Sequence, residues 1–395
     1  MQLEDTAMKE RISHYTYLLC AGHLFTDMNQ GALPVIIPFF IMEYGFNYTT
    51  VASLVFALNL VSSVVQPVFG ALADRVSKPW ILSAGVLLAG GGMAATGIFT
   101  SYTAIFVAVM VSGIGVAAYH PEAARYANKV AGHKKGTGVS IYSFGGNAGF
   151  ALAPILTAWL ILTFGLKGLT ALFIPAVIIA PVLLVSMNRY HRSEEMAQAA
   201  GSLPQKSPDT DRWGAFSLLC VLLFSRSVIF YGLNTFLPLY WIYVFKQSET
   251  TASAALTILL TVGAISTLVG GRMADRCGFH KLIRGGFLLL LPLLGIFVFT
   301  TNLTAATLLL IPIGFALYAP LSPMIVMGHK FLPNHIGLSS GVTIGLSVSI
   351  GGIAAPLLGR VADFYGLLPV MYIIAAVAVL PAFFAFAMPK PHDEM

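Results

Sequence analysis

Charge is what this sequence has least of. Only 10% of its 395 residues are Asp, Glu, Lys or Arg, where a soluble domain carries roughly a quarter. With 57% hydrophobic residues and a mean hydropathy of +0.82, a soluble globular chain is excluded. Cysteine is nearly as scarce: Cys20, Cys220 and Cys277 share no paired spacing, which argues against a disulfide framework or a thiolate metal site. There is no HExxH, no GxSxG and no Cys and His ligand set, and the carboxylates are scattered with no nucleophile at a recognisable spacing. A membrane-embedded enzyme is therefore disfavoured. The net charge of +6 is not a nucleic-acid signal either, because the cations fall between apolar runs rather than on one soluble face.

What is present is a series of apolar runs, each near the roughly 20 residues needed to cross hydrocarbon, from Tyr15 almost to Met388. They read as twelve spans, near 14–41, 49–73, 80–100, 103–126, 137–163, 168–188, 213–244, 250–273, 281–300, 303–328, 336–362 and 367–388. The first run is too long and too interrupted for a cleavable signal and reads as the first span. The long polar stretch, 189–212, reads as a linker between a bundle over 1–188 and a second over 213–395. Lys9, Arg11, Arg75, Lys78, Lys129, Lys134, Lys135, the linker, Arg272 to Arg284, Lys330 and Lys390 fall on one side. The positive-inside rule makes that side the cytoplasm and puts both termini there. Trp80, Trp159, Trp213 and Trp241 fall near span ends, where indoles favour the interface.

Segments recur at a spacing of about 200 residues, the kind of internal repeat that decides architecture. Leu33-Pro34 matches Leu237-Pro238, and Gly70-Ala71-Leu72-Ala73-Asp74-Arg75 matches Gly271-Arg272-Met273-Ala274-Asp275-Arg276. Gly115, Tyr119 and Pro121 match Gly314, Tyr318 and Pro320; Ala153-Pro154 matches Ala355-Pro356. The expected fold is an all-α membrane protein of twelve transmembrane helices, two parallel six-helix repeats around a central cavity. Such a repeat is the architecture of an alternating-access transporter, and it disfavours a receptor or a channel.

The costly residues are those that interrupt the apolar spans. His23 and Asp27 stand four apart in the first span and share one helical face, with the amides of Asn29 and Gln30 close by. Ionisable groups at such depth mark a transport or proton pathway. The fourth span ends in His120, Glu122 and Arg125. Glu122 and Arg125 form a proton and substrate site or belong to a cytoplasmic latch; depth favours the latch for Arg125 and coupling for His120 and Glu122. Pro121 is expected to perturb this helix and free carbonyls toward a cavity. Arg226 is an isolated cation deep in the seventh span. It either anchors an anionic or zwitterionic cargo through its planar fork or makes an intramembrane ion pair, with Asp27 for example. Tyr231, Asn234 and Tyr318 are the neutral hydrogen bonders expected around it. Asp74 and Asp275 lie at helix mouths, where a carboxylate caps a neighbouring helix N-terminus or pairs with a cation. Gly145, Gly146 and Gly149 permit close backbone approach.

Gly70-xx-Ala73-Asp74-Arg75, echoed by Gly271-xx-Ala274-Asp275-Arg276, resembles the loop motif of the major facilitator superfamily. His23-Leu24-xx-Asp27, Tyr119-His120-Pro121-Glu122-xx-Arg125, Gly145-Gly146-Asn147-Ala148-Gly149 and Ser62-Ser63-Val64-Val65-Gln66-Pro67 narrow the resemblance to the fosmidomycin-resistance branch of proton-driven exporters. That resemblance implies a proton-coupled antiporter in a bacterial cytoplasmic membrane, working as a monomer on small molecules and protons, with a proton gradient and no cofactor. On their own chemistry and depth, Asp27, Glu122, His23 and His120 are the residues expected in proton coupling. Arg226, Asn29, Gln30, Tyr231, Asn234, Tyr318 and Asn147 would bind substrate, and no resident metal is expected. Gly70, Asp74, Arg75, Arg125, Gly271, Asp275 and Arg276 would form the conformational latch. A proton symporter importing a small organic anion on the same fold stays open.

Overall fold

The computed structural model describes residues 13–46, 48–75, 78–199 and 210–390. The protein is an all-helical membrane protein, and every predicted span is one helix or a run of helical segments. These are α1 (His14–Tyr44), α2 (Tyr48–Val64), α3 (Gln66–Arg75), α4 (Trp80–Ala95), α5 (Tyr102–Val130), α6 (Lys135–Phe164) and α7 (Phe173–Ala199). Then come α8 (Trp213–Tyr243), α9 (Glu249–Cys277), α10 (Phe279–Phe299), α11 (Leu303–Tyr318), α12 (Leu321–Phe331) and α13 (Ile336–Ser340). The last are α14 (Ser347–Tyr365), α15 (Leu367–Val377) and α16 (Val379–Ala387). Among the described residues ten helices are long and apolar enough to cross a membrane, and Trp80–Ala95 is a shorter apolar helix.

The repeat is written into the caps. Ser101 accepts from the Ala104 N–H at the start of α5, and Asn302, its counterpart, accepts from Ala305 at the start of α11. Each side chain satisfies one of the N–H groups a helix start leaves without an intrahelical partner. Gly165 and Gly366 end α6 and α14 with φ of 67° and 82°. A side chain at either would meet its own backbone in that left-handed region, so glycine stops both helices at the same register.

Helix breaks are where the structure departs from the sequence expectation. The second span divides at Val65 into α2 and α3, with Pro67 in the first turn of α3, where a missing N–H costs nothing. Pro121 does not break its helix: α5 runs unbroken through it to Val130. Its repeat partner Pro320 does separate α11 from α12. The eleventh span contains a π-helical turn over Gly341–Leu346 between α13 and α14, and the twelfth is interrupted at Ala378. The stretch beginning at Arg189 is helical through Ala199; the rest of the expected linker, to residue 209, lies outside the described residues, as do Lys9, Arg11, Val76 and Ser77.

Two compact units result. One comprises Met1–Val65 and Arg75–Pro208, the other Gln66–Asp74 and Asp209–Met395. The short helix α3 thus packs with the second unit although it precedes most of the first in sequence. In the first unit, Met28, Leu33, Ile36, Phe40, Leu54, Leu58, Met93 and Ile105 form a fully buried apolar core. Large apolar side chains such as Ile155, Leu162, Phe299 and Phe383 are exposed, the surface a helix presents to lipid. Trp80, Trp159 and Trp213 are exposed as expected, but Trp241 is fully buried. Its indole stacks on the Phe297 ring at 6.0 Å and lies edge-on to Phe245 at 5.2 Å, so aromatic packing, rather than an interface, sets its position.

Candidate functional site

The first unit is built on a tight contact between α1 and α6. A Cβ at Gly145 would collide with the Cys20 carbonyl, and one at Gly149 with the Leu24 carbonyl. One at Gly146 would lie 2.6 Å from Asp27 Oδ2 and 2.7 Å from a ring carbon of His23. The bare glycine face lets the backbones approach until the polar face of α1 is enclosed by α6 and α5.

Enclosure brings together three groups that sequence places on two distant segments. His23 Nε2 lies 3.1 Å from Asp27 Oδ2, and His120 Nε2 lies 2.8 Å from Asp27 Oδ1. All three side chains are buried. The two imidazoles meet edge-on with centroids 4.9 Å apart, and His23 stacks on the Tyr142 ring at 4.2 Å. The Tyr119 hydroxyl donates to the Leu19 carbonyl at 2.8 Å, pinning α5 to α1 beside the cluster.

One hydrogen bond fixes how this cluster carries hydrogen. His23 Nδ1 is 2.8 Å from the main-chain carbonyl oxygen of Tyr142. A carbonyl only accepts, so Nδ1 is the donor. A neutral His23 ring then turns the lone pair of Nε2 toward Asp27, and two acceptors face each other across 3.1 Å. The contact is attractive only when a positive centre, a proton in the simplest case, sits between them. Tyr142 was missed by sequence reasoning because its contribution is a backbone oxygen, which no residue type announces.

Glu122 is fully buried and lies 3.5 Å from Arg125, the i,i+3 pair expected from spacing. Asn29 is buried; its Nδ2 donates to its own helix at the Phe25 carbonyl, 2.6 Å away, and its Oδ1 has no hydrogen-bond partner among the described residues. Gln30 donates to the Ser62 hydroxyl at 3.2 Å. Asn147 is half-buried, and its Nδ2 has no hydrogen-bond partner among the described residues.

In the second unit Arg226 is buried on α8. Its Nε donates to the Leu317 carbonyl at 2.7 Å, and its guanidinium lies over Tyr318 at 5.4 Å and Phe230 at 5.9 Å. It forms no ion pair among the described residues, so the terminal nitrogens remain a fork with no carboxylate in it. Tyr318 is buried against this arginine, while Tyr231 and Asn234 are half-buried.

The loop aspartate has a clear partner. Asp74 Oδ1 accepts from the Gly337 N–H at 2.6 Å and Oδ2 from the Leu338 N–H at 2.9 Å. These are first-turn donors of α13, so the carboxylate satisfies two of them and meets the positive end of the helix dipole. Gly70 lies directly on Gly337; a Cβ on it would strike the Gly337 carbonyl. The expectation that a carboxylate here caps a neighbouring helix is met, by residues 263 and 264 positions further along. In the repeat copy Gly271 is buried, Asp275 half-buried and Arg276 exposed; in the first copy Arg75 is exposed.

Comparison with known proteins agrees with this architecture. The family model described as the Major Facilitator Superfamily matches residues 19–356. The chain belongs to that superfamily; it is a non-enzymatic secondary transporter. It is 31% identical over 400 residues to an uncharacterized MFS-type transporter of Bacillus subtilis strain 168, YfnC, covering 98% of this chain and 96% of that one. It is 29% identical over 381 residues to the fosmidomycin resistance protein of Escherichia coli strain K12, covering 94% and 92%. Among solved structures, the MFS transporter FucP in the outward conformation superimposes with a TM-score of 0.74 at 16% identity, over 96% of this chain and 99% of that one.

Proposed function

We propose that the protein is a proton-coupled antiporter that exports a small anionic or zwitterionic compound from a bacterial cytoplasm by alternating access, with both termini cytoplasmic. The observation that carries the reading is the buried His23, Asp27 and His120 cluster, whose geometry requires a positive centre between acceptors. Likeness to a fosmidomycin resistance protein supports export. The cargo's charge is inferred from the buried Arg226 guanidinium, which has no ion pair among the described residues and can match a carboxylate or phosphonate through two parallel hydrogen bonds.

In this scheme Asp27 and Glu122 accept protons from outside and lose their charge, and the neutral form crosses a dry intermediate more cheaply than the ion. His23 and His120 relay the proton, since an imidazole nitrogen either donates or accepts a hydrogen bond. The proton leaves to the cytoplasm as cargo binds, and coupling comes from the different affinities of each ligand in the two states. Asn29, Gln30, Asn147, Tyr231, Asn234 and Tyr318 supply neutral hydrogen bonds to the cargo. Asp74 on α13, with Gly70, Arg75 and Arg125, latches one state; Gly271, Asp275 and Arg276 are its counterpart in the other copy.

Proteoliposomes with an imposed pH gradient test the direction of coupling. For an antiporter, an acidic interior drives uptake of an anionic probe as protons leave. Uptake driven instead by an alkaline interior overturns export and establishes the symport of an organic anion.

A further inference from the structure

The same three residues make a second kind of site. Their ligand atoms, His23 Nε2, His120 Nε2 and an oxygen of Asp27, all lie within 4.8 Å of one another. With His23 Nδ1 donating to the Tyr142 carbonyl, its Nε2 offers an electron pair to the same point as the carboxylate. A metal-bound histidine characteristically gives its other ring N–H to a backbone carbonyl or carboxylate, which fixes the tautomer and turns the ring. The Tyr142 carbonyl already holds His23 in that pose.

We propose that His23, Asp27 and His120 bind one divalent transition-metal ion of the zinc, cobalt and nickel class. Two imidazole nitrogens and one carboxylate suit these ions, whereas magnesium and calcium take oxygen donors almost throughout. Bonds of about 2.0–2.1 Å in a tetrahedron give ligand edges of about 3.3–3.4 Å. The contacts of 3.1 and 2.8 Å reach different oxygens of Asp27, so the carboxylate either offers both oxygens to the ion or turns one of them between the two rings; one ligand atom from each of the three residues already lies within 4.8 Å of the others. Three protein ligands leave a fourth position for water or an anionic donor. Two neutral rings and one carboxylate leave a dication with one uncompensated charge, so an anion in that position is favoured in so buried a place. The ion occupies the place of the proton shared by His23 and Asp27, and so arrests coupled transport. That consequence, unlike the binding itself, rests on the proton-coupling reading above.

The test uses the full-length protein, purified without a histidine tag and stripped with a chelator. Cobalt(II) titration should develop visible ligand-field bands that saturate at one equivalent and vanish when zinc is added. Calorimetry with zinc should give the same stoichiometry. His120→Ala and Asp27→Asn, each checked for a wild-type unfolding midpoint, should weaken binding at least about 100-fold, the upper end of what disturbing a metal site's supporting shell costs. His335→Ala, which removes the imidazole of a half-exposed pair with Asp211, should leave the one-equivalent site intact. No saturable binding by the wild type overturns the proposal, and so does binding of undiminished strength in both cluster variants. Transport driven by a pH gradient is measured separately in chelator. If it persists while the wild type binds no metal, the metal site falls and the transport reading stands. If metal binds but no pH-driven transport exists, the binding site stands and the arrest of coupling is overturned.

Discussion

Helices α1 and α8 hold matching places in the repeat and are each 31 residues long, yet they bury charged groups of opposite kind. In α1 the polar face carries His23 and Asp27, compensated within its own unit by His120. In α8 the corresponding region carries Arg226, held by a carbonyl and two aromatic rings with no carboxylate partner among the described residues. The duplicated scaffold thus carries a carboxylate between two imidazoles in one copy and a guanidinium in the other. The mouths differ as well. Asp74 holds two N–H groups of α13, at the foot of the eleventh span, and that span contains a π-helical turn, whereas its counterpart α6 is regular from Lys135 to Phe164. A π-turn next to a capped helix start is a natural place for a rod to bend when the cap is released.

The sharpest way to break the comparison is Asp27→Asn. It removes the carboxylate that contacts both imidazoles and should abolish pH-driven transport while the unfolding midpoint stays within a few degrees. Full coupling in that variant would remove the first unit from the proton pathway. Arg226→Lys keeps the charge and loses the planar fork. If the second unit anchors an anion through charge-assisted hydrogen bonds of about 1.5–3 kcal/mol, binding of the anionic probe should weaken roughly 10- to 150-fold. An unchanged affinity would make Arg226 a packing element of its aromatic sandwich.

Smaller effects sharpen the structural side. Gly146→Ala forces a methyl against Asp27 and His23 and should cost about 1–3 kcal/mol as overpacking, read as a lowered midpoint in detergent. Gly352→Ala, on α14 of the repeat, meets nothing within 4 Å and should be neutral or stabilising by up to about 1 kcal/mol. Equal effects at the two glycines would mean that the α1 and α6 contact is looser than the structure describes. Asp74→Ala removes a helix-capping carboxylate worth about 0.5–2 kcal/mol. Cysteine-accessibility labelling of residues beside Asp74 and Gly337 should rise in the variant, and unchanged labelling would deny the latch.

Much of the fold was legible because its causes are local or periodic. Twenty-residue apolar runs have no stable home outside a bilayer, and paired backbone groups in lipid demand helices. The copy of Gly-xx-Ala-Asp-Arg after the second and eighth spans announced the duplication, and the caps at Ser101 and Asn302 show it kept to the residue. Less was legible at the site. Four-residue spacing placed His23 beside Asp27, and three-residue spacing placed Glu122 beside Arg125. Proline alone did not tell a continuous helix from a break: α5 runs through Pro121, whereas Pro320 stands between α11 and α12. Trp241 was misplaced because nearness to a span end does not reveal a neighbouring Phe297.

By itself, then, the sequence determined an all-helical membrane protein with an internal repeat and a few ionisable groups too costly to be incidental. Those properties depend on composition and on spacing along one helix. Only the tertiary structure decided that His120 completes the cluster from 93 residues away, that the Tyr142 carbonyl sets the hydrogen on His23, and that Asp74 caps a helix 263 residues further on. Each of these depends on a backbone atom or on a crossing of two helices. Such contacts are fixed by how closely glycine faces let the helices approach, which no periodicity in a single strand of sequence records.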